Sequence, residues 1–324
     1  MGKKALVIGI DSYPSFPLSG CVNDAREMAQ LLENNGDESH NFDVRQEFNV
    51  ESTRRLNVMI RELFEGEGDV ALLYFAGHGI MTANGNGYIV APDFAEGREG
   101  VELRYILSRA NESRYRSRVI ILDCCCSGNM MASHPEDSGA PHIATGVAII
   151  ASCGSLEGAS ESGGHGIVTG LLLEGLKGGA ATVAGDVTPG GLYAYVDRSL
   201  GAWDQRPMFA ANLSRLVKLR QCERMIPESV LRKLPHYFDT PESEYSLDPS
   251  YEFTNCQACV PRVVNPVADE NHVPILKDLQ KLERVGLVVP VGVEHMYDAA
   301  MQSKSCRLTR LGKHIWNLAK NNRI

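Results

Sequence analysis

Leu72-Leu73-Tyr74-Phe75-Ala76-Gly77-His78-Gly79 is an apolar run that stops at a histidine set between two glycines. With Val70 and Ala71 it makes seven consecutive apolar residues, too few for a core helix and rich in strand formers. It does not alternate, so both faces must be covered, as in a parallel sheet flanked by helices. Ile120-Ile121-Leu122-Asp123-Cys124-Cys125-Cys126-Ser127-Gly128 repeats the design, an apolar strand ending in an acid, cysteines and a Ser-Gly turn. Lys4–Ile10 and Val147–Ala151 read as further buried strands, and Phe42–Phe48 as a half-buried one. Between them the spacing predicts helices over Asn23–Asn34, Ser52–Glu65, Leu103–Ala110, His165–Leu176 and Leu192–Leu200. Strands alternating with helices imply a three-layer α/β/α sandwich on a mostly parallel sheet. Sites in such sheets form at the carboxyl ends of strands, near the point where strand order reverses. Chemistry is therefore expected just after residues 10, 76, 122 and 151.

The pattern holds to about residue 225, giving a first domain over 1–225. Six prolines fall between Pro227 and Pro266, so 226–265 reads as a linker or irregular extension. Residues 266–324 form a small α+β unit: a helix over Ile275–Val285, a short strand pair, and a final helix from about Thr309 to Ala319. That order resembles a winged helix-turn-helix. The unit carries nine Lys/Arg against six Asp/Glu, whereas the whole chain of 324 residues has a net charge of −8. An acidic chain is not drawn to nucleic acid or anionic membrane, so neither is expected as a partner. No stretch approaches 18 apolar residues, so no membrane span is expected. Nine cysteines, an odd number with three in a row, suit a reducing cytoplasm better than a disulfide scaffold.

His78 and the cysteine cluster lie on the two strand ends where the sheet rule places a site. An ordinary thiol is largely protonated at neutral pH, with a pKa near about 8.5. An imidazole that takes its proton leaves a thiolate able to attack a carbonyl carbon. The glycines beside His78 leave room for a backbone N–H, that of Gly79, to meet a developing oxyanion together with the N–H of Cys125. Taken singly, a Gly-His-Gly turn or a buried cysteine is more often structural than catalytic. The conjunction is more specific: both segments end apolar strands, and His78 and Cys125 are 47 residues apart.

These segments are similar to the caspase-like cysteine peptidases, closest to metacaspases and prokaryotic caspase homologues. The resemblance runs over residues 3–210 through Ile8-Gly9-Ile10-Asp11-Ser12-Tyr13, Leu18-Ser19-Gly20-Cys21-Val22-Asn23-Asp24-Ala25, Tyr74–Gly79, Tyr88–Asp93, Asp123–Gly128, Ser152, Glu157, Gly166–Thr169 and Gln205–Pro207. It implies a cysteine endopeptidase with a Cys125–His78 dyad. Cys126 stands where the family has a histidine, and period-two alternation turns Cys124 and Cys126 away from Cys125. The resemblance also implies an acidic substrate pocket at Asp24 and Asp123, hence cleavage after Arg and more weakly after Lys. Asp24 would equally suit the N-cap of a helix starting near Ala25. Ala76 replaces a serine common in the family, which removes one pocket hydrogen bond. Bacterial relatives suggest a defence or cell-death pathway.

Relatives are often activated by a cut or by calcium; the sequence leaves calcium open. The segment Asn129–Thr145 has no Lys or Arg, so the six arginines of Arg98–Arg118 are the expected activation loop, cut by the enzyme itself or by an upstream protease or regulatory protein. No cofactor is expected. Cys256-Gln257-Ala258-Cys259 is half of a zinc pattern that Cys306, His272 or His295 would have to complete, which makes zinc the lesser reading. The competing function is a catalytically inactive caspase-like scaffold, or a DNA-binding regulator acting through the C-terminal unit.

Overall fold

The computed structural model describes the chain except residues 1, 96, 125–141, 153–160, 163–164, 202–205 and 260–261. Its contacts divide the chain into two compact units, Met1–Glu223 and Arg224–Ile324.

The first unit is built on six strands: β1 (Lys3–Gly9), β2 (Asp43–Phe48), β3 (Val70–Ala76), β4 (Ser117–Asp123), β5 (Val147–Ala151) and β6 (Met208–Asn212). They lie in the order β6-β5-β4-β3-β1-β2. All neighbours are parallel except β5 and β6, which run antiparallel. From β1 the chain passes to β2 on one side and then to β3 on the other, so strand order reverses between β1 and β3.

Side chains alternate across β3. Leu72 and Tyr74 join a core with Ala25, Met28 and Leu32 of α1 (Cys21–Glu33), with α4 (Ile167–Glu174) and with α5 (Pro189–Ser199). Leu73 and Phe75 face the other way, toward Leu56, Ile60 and Leu63 of α2 (Thr53–Phe64) and Ile106 of α3 (Leu103–Glu112). Two apolar cores on one sheet make the three-layer α/β/α sandwich expected from the uninterrupted apolar runs. β2 is exposed except at residues 44 and 47, which are half-buried, without the strict alternation its sequence suggested; this fits its place at the sheet edge.

Several expectations change. The helix expected over His165–Leu176 begins at Ile167, after a two-residue bridge at His165–Gly166, and passes into a wide turn over Gly175–Gly179. Arg98–Arg118 is not a loop. Arg104 and Arg109 lie in α3, and Arg118 is buried in β4 with its Nε donating to Ala110 O at 2.8 Å. Only Arg98, Arg114 and Arg116 lie outside regular structure, so most of this window cannot enter a protease cleft in extended form.

In the second unit, β7 (Glu244–Ser246), β8 (Val288–Val291) and β9 (Ser305–Leu308) form an antiparallel sheet with β9 in the middle. Helices α6 (Val273–Arg284), α7 (Met296–Met301) and α8 (Arg310–Lys320) belong to the same unit. The stretch 226–265, expected as linker, is part of this unit. It carries short helical turns at Glu228–Leu231 and Leu234–Tyr237 as well as β7. Pro235 and Pro249 start helical turns instead of preventing them, since proline suits the first turn of a helix. The connection between β8 and β9 is helix α7, not a tight hairpin.

Candidate active site

Three strand ends stand side by side. Gly9 registers with Ala76, and Ala76 with Asp123, so β1, β3 and β4 stop at one level, with neighbouring parallel strands about 4.8 Å apart. The level lies at the reversal of strand order, where an α/β sheet opens a crevice. His78 is the second residue beyond Ala76.

His78 is held at three points. Its N–H donates to the Tyr13 hydroxyl at 3.0 Å, and that hydroxyl donates to Val90 O at 3.1 Å. The Tyr13 and His78 rings meet edge to face with centroids 4.5 Å apart. The imidazole Nε2 lies 2.7 Å from Phe16 O. A carbonyl oxygen only accepts, so Nε2 carries the hydrogen and Nδ1 is the nitrogen left to take up a proton. Burial above all pushes the Tyr13 hydroxyl far above its ordinary range, so it stays a neutral donor.

The flanking glycines have separate causes. A β-carbon on Gly77 would sit 2.6 Å from the Tyr13 hydroxyl and 2.9 Å from the Phe75 ring, so only glycine lets Tyr13 reach His78. Gly79 opens a short edge strand, Gly79–Met81, and registers with Ile89. Val90 N donates to His78 O at 3.1 Å, which makes Gly79 and Ile89 a non-hydrogen-bonded pair. The Gly79 N–H therefore lies outside the ladder.

The loop from β1 to α1 is organised by Asp11. Its carboxylate accepts from Cys21 N at 2.9 Å and Val22 N at 3.2 Å, capping α1, and its carbonyl accepts from Tyr13 N and Leu18 N, both at 2.9 Å. Asp24 is thus not the N-cap; it lies in the first turn of α1 and is 2 % exposed. Its Oδ2 accepts from Gly166 N at 3.3 Å. Asp123 accepts from the Thr169 hydroxyl, which in turn lies 2.8 Å from the Tyr74 hydroxyl. Since Thr169 spends its proton on Asp123, Tyr74 must donate to Thr169.

The two carboxylates converge on Gly166: a β-carbon there would lie 3.0 Å from Asp123 Oδ2 and 3.7 Å from Asp24 Oδ2. Their charge is felt nearby. Burial, and after it the carboxylates of Asp11, Asp123 and Asp24, push the Cys21 thiol far above its usual range. Cys21 is therefore held as a neutral thiol, unsuited to nucleophilic attack. Cys124, the residue after β4, is 5 % exposed and packs into the core beside Leu122.

The structure thus sets His78 and Gly79 just past the end of β3, next to the end of β4 at Asp123, and brings Asp123 and Asp24 together at Gly166. Cys125 with its N–H, Cys126, Ser127, Gly128, most of Asn129–Thr145, Glu157 and Gln205 lie outside the described residues. Asp11, Tyr13, Gly166 and Thr169 were visible in sequence only as parts of motifs, with no role attached. A threonine hydroxyl that hydrogen-bonds a carboxylate, or a tyrosine hydroxyl that hydrogen-bonds a main-chain carbonyl, leaves no periodic signal. Phe16 contributes only a main-chain atom and was not singled out.

No curated protein matches the chain. A family model described as the caspase domain matches residues 2–218, two thirds of the sequence and nearly all of the first unit, and the chain accordingly belongs to the caspase-domain family of cysteine peptidases.

Proposed function

We propose that this protein is an endopeptidase that hydrolyses peptide bonds after arginine, and less well after lysine, with Cys125 as nucleophile and His78 as base. His78 Nδ1 accepts the thiol proton, and the thiolate attacks the carbonyl carbon of the scissile bond. The N–H groups of Gly79 and Cys125 stabilise the oxyanion, a contribution of roughly 2.7–4 kcal/mol per donor. The imidazolium returns its proton to the leaving amine as the C–N bond breaks. Water, deprotonated by the same imidazole, then releases the acyl group. Phe16 O stabilises the charged imidazole through the Nε2 hydrogen bond. In sequence, His78 and Cys125 each stand two positions beyond the Ala76–Asp123 register pair, which supports their pairing.

The observation that carries the specificity is the convergence of Asp24 and Asp123 on Gly166. Two carboxylates converging at one place favour a planar guanidinium, which pairs with carboxylates through charge-assisted, two-pronged bonds. An aspartate side chain would meet like charge there. Fluorogenic peptides differing only in the residue before the cut test the reading. Arginine is expected to exceed lysine and aspartate in kcat/KM, with all turnover lost in Cys125→Ala. Preference for aspartate, or turnover that survives Cys125→Ala, overturns it.

Activation by a cut stays within this proposal only for arginines on loops, such as Arg98 and Arg114, because α3 and β4 hold Arg104, Arg109 and Arg118. A role in a defence or cell-death pathway is supported by the resemblance to bacterial relatives.

A further inference from the structure

Cys256 and Cys259, in the second unit, close a four-residue turn. Cys259 N donates to Cys256 O at 3.0 Å, and the two Sγ atoms lie 2.8 Å apart. The turn is anchored by Asn255, which is 1 % exposed. The Asn255 Nδ2 donates to Pro249 O at 3.0 Å, Val264 O at 2.7 Å and Pro266 O at 3.0 Å, while its Oδ1 accepts from Val264 N at 2.9 Å. One buried amide therefore clamps both ends of the segment bearing the cysteines. Both thiols remain reachable, Cys256 half-buried and Cys259 exposed.

The pair is chemically unequal. The hydrogen bond shared with Cys259 above all, together with the N–H groups of Ala258 and Cys259, holds the Cys256 thiol below its usual range against burial, the second-largest influence. The Cys259 thiol is pushed up by the same bond. Zinc lacks the rest of its ligands: among the described residues no three His, Cys, Asp or Glu side chains converge. Cys306 is fully buried in the middle strand β9, and His272 Nδ1 lies 2.7 Å from Ser250 Oγ with its ring stacked on Tyr251.

We propose that Cys256 and Cys259 form a redox-active dithiol that exchanges with low-molecular-weight disulfides such as glutathione disulfide. The Cys256 thiolate attacks one sulfur of the small disulfide; its S–S bond breaks, and one small thiolate leaves and takes up a proton. Cys259 gives its proton to solvent and attacks Cys256 Sγ in the mixed disulfide, expelling the second small thiolate. Two protein thiols are oxidised to a disulfide and one small disulfide is reduced to two thiols. Closure needs only a slight approach of the sulfurs, to roughly 2.03–2.05 Å.

The test equilibrates the full chain across ratios of reduced to oxidised glutathione, blocks remaining thiols by alkylation, and reads the tryptic peptide Leu234–Arg262, in which Cys256 and Cys259 are the only cysteines. The wild-type peptide is expected to lose both alkylation sites together, without an adduct. Cys259→Ser is expected to stop at one glutathione on Cys256, formed several-fold faster than the adduct that Cys256→Ser forms on Cys259. A wild-type peptide that stays doubly alkylated in excess oxidised glutathione, one that accumulates two glutathiones, or one zinc ion per chain in the purified protein protecting both thiols, overturns the proposal.

Discussion

Asp123 does two things at one atom pair: it ends β4 and it faces Gly166 across from Asp24. Asp123→Asn keeps the shape and removes the charge. It is expected to lower kcat/KM for arginine substrates by about 2 kcal/mol or more, roughly thirtyfold, while substrates with a neutral residue at that position change little. Steady-state kinetics on the two peptide types measures the difference. Its neighbour Cys124 is core, so Cys124→Ala is expected to leave cleavage intact and cost about 1 kcal/mol of stability, read from urea unfolding. At this scale the sequence disclosed the polar tips of apolar strands, His78 and Asp123, because burial makes a polar residue there conspicuous. It did not disclose the Tyr74–Thr169 relay, whose members come from separate elements and meet only once the sheet and α4 are packed.

Helix α1 lies so close to β1 that the contact tolerates no side chain at the crossing. A β-carbon on Gly9 would stand 2.2 Å from Cys21 O and 2.8 Å from the Ala25 β-carbon. Gly9→Ala must push the start of α1 outward, with Asp24 aboard. The expected cost is about 1–3 kcal/mol, together with a raised KM for arginine peptides, measured by chemical unfolding and kinetics on the same variant. Elements with an uninterrupted apolar run or a strong helical period were legible: β3 and β5 at their observed ends, α1 and α2 within two residues. The strand β6 was not, because a half-exposed antiparallel edge shows neither an uninterrupted apolar run nor clean alternation. Helix α7, six residues long, is too short for a 3.6-residue period to show.

Over the whole chain, the two-unit division near residue 225 was legible from composition, whereas the membership of 226–265 was not, since proline content does not distinguish a linker from a run of short capped turns. The second unit has its own ionic centre. Asp278, 6 % exposed, accepts from Lys233 Nζ at 2.8 Å, the Tyr237 hydroxyl at 2.9 Å and Lys281 Nζ at 3.2 Å. Burial raises its pKa, but the three hydrogen bonds and the Lys233 charge outweigh burial and leave the carboxyl below its usual range. A carboxyl lowered by folding stabilises the native state above its unfolded pKa of about 3.9 and loses that contribution as pH falls through the folded value. Urea midpoints reported by Trp316 fluorescence in a Trp203→Phe background should therefore fall below about pH 4, and Asp278→Asn should flatten that fall.

The atom that fixes the His78 tautomer, Phe16 O, belongs to a peptide group and is present whatever amino acid stands at position 16. Point mutation cannot delete it, and an alignment column for that position would show drift with no hint of a constraint. Natural selection can act on this partner only through the number of residues between Asp11 and Gly20, so an insertion or deletion there should silence the enzyme where replacement of Phe16 would pass unnoticed.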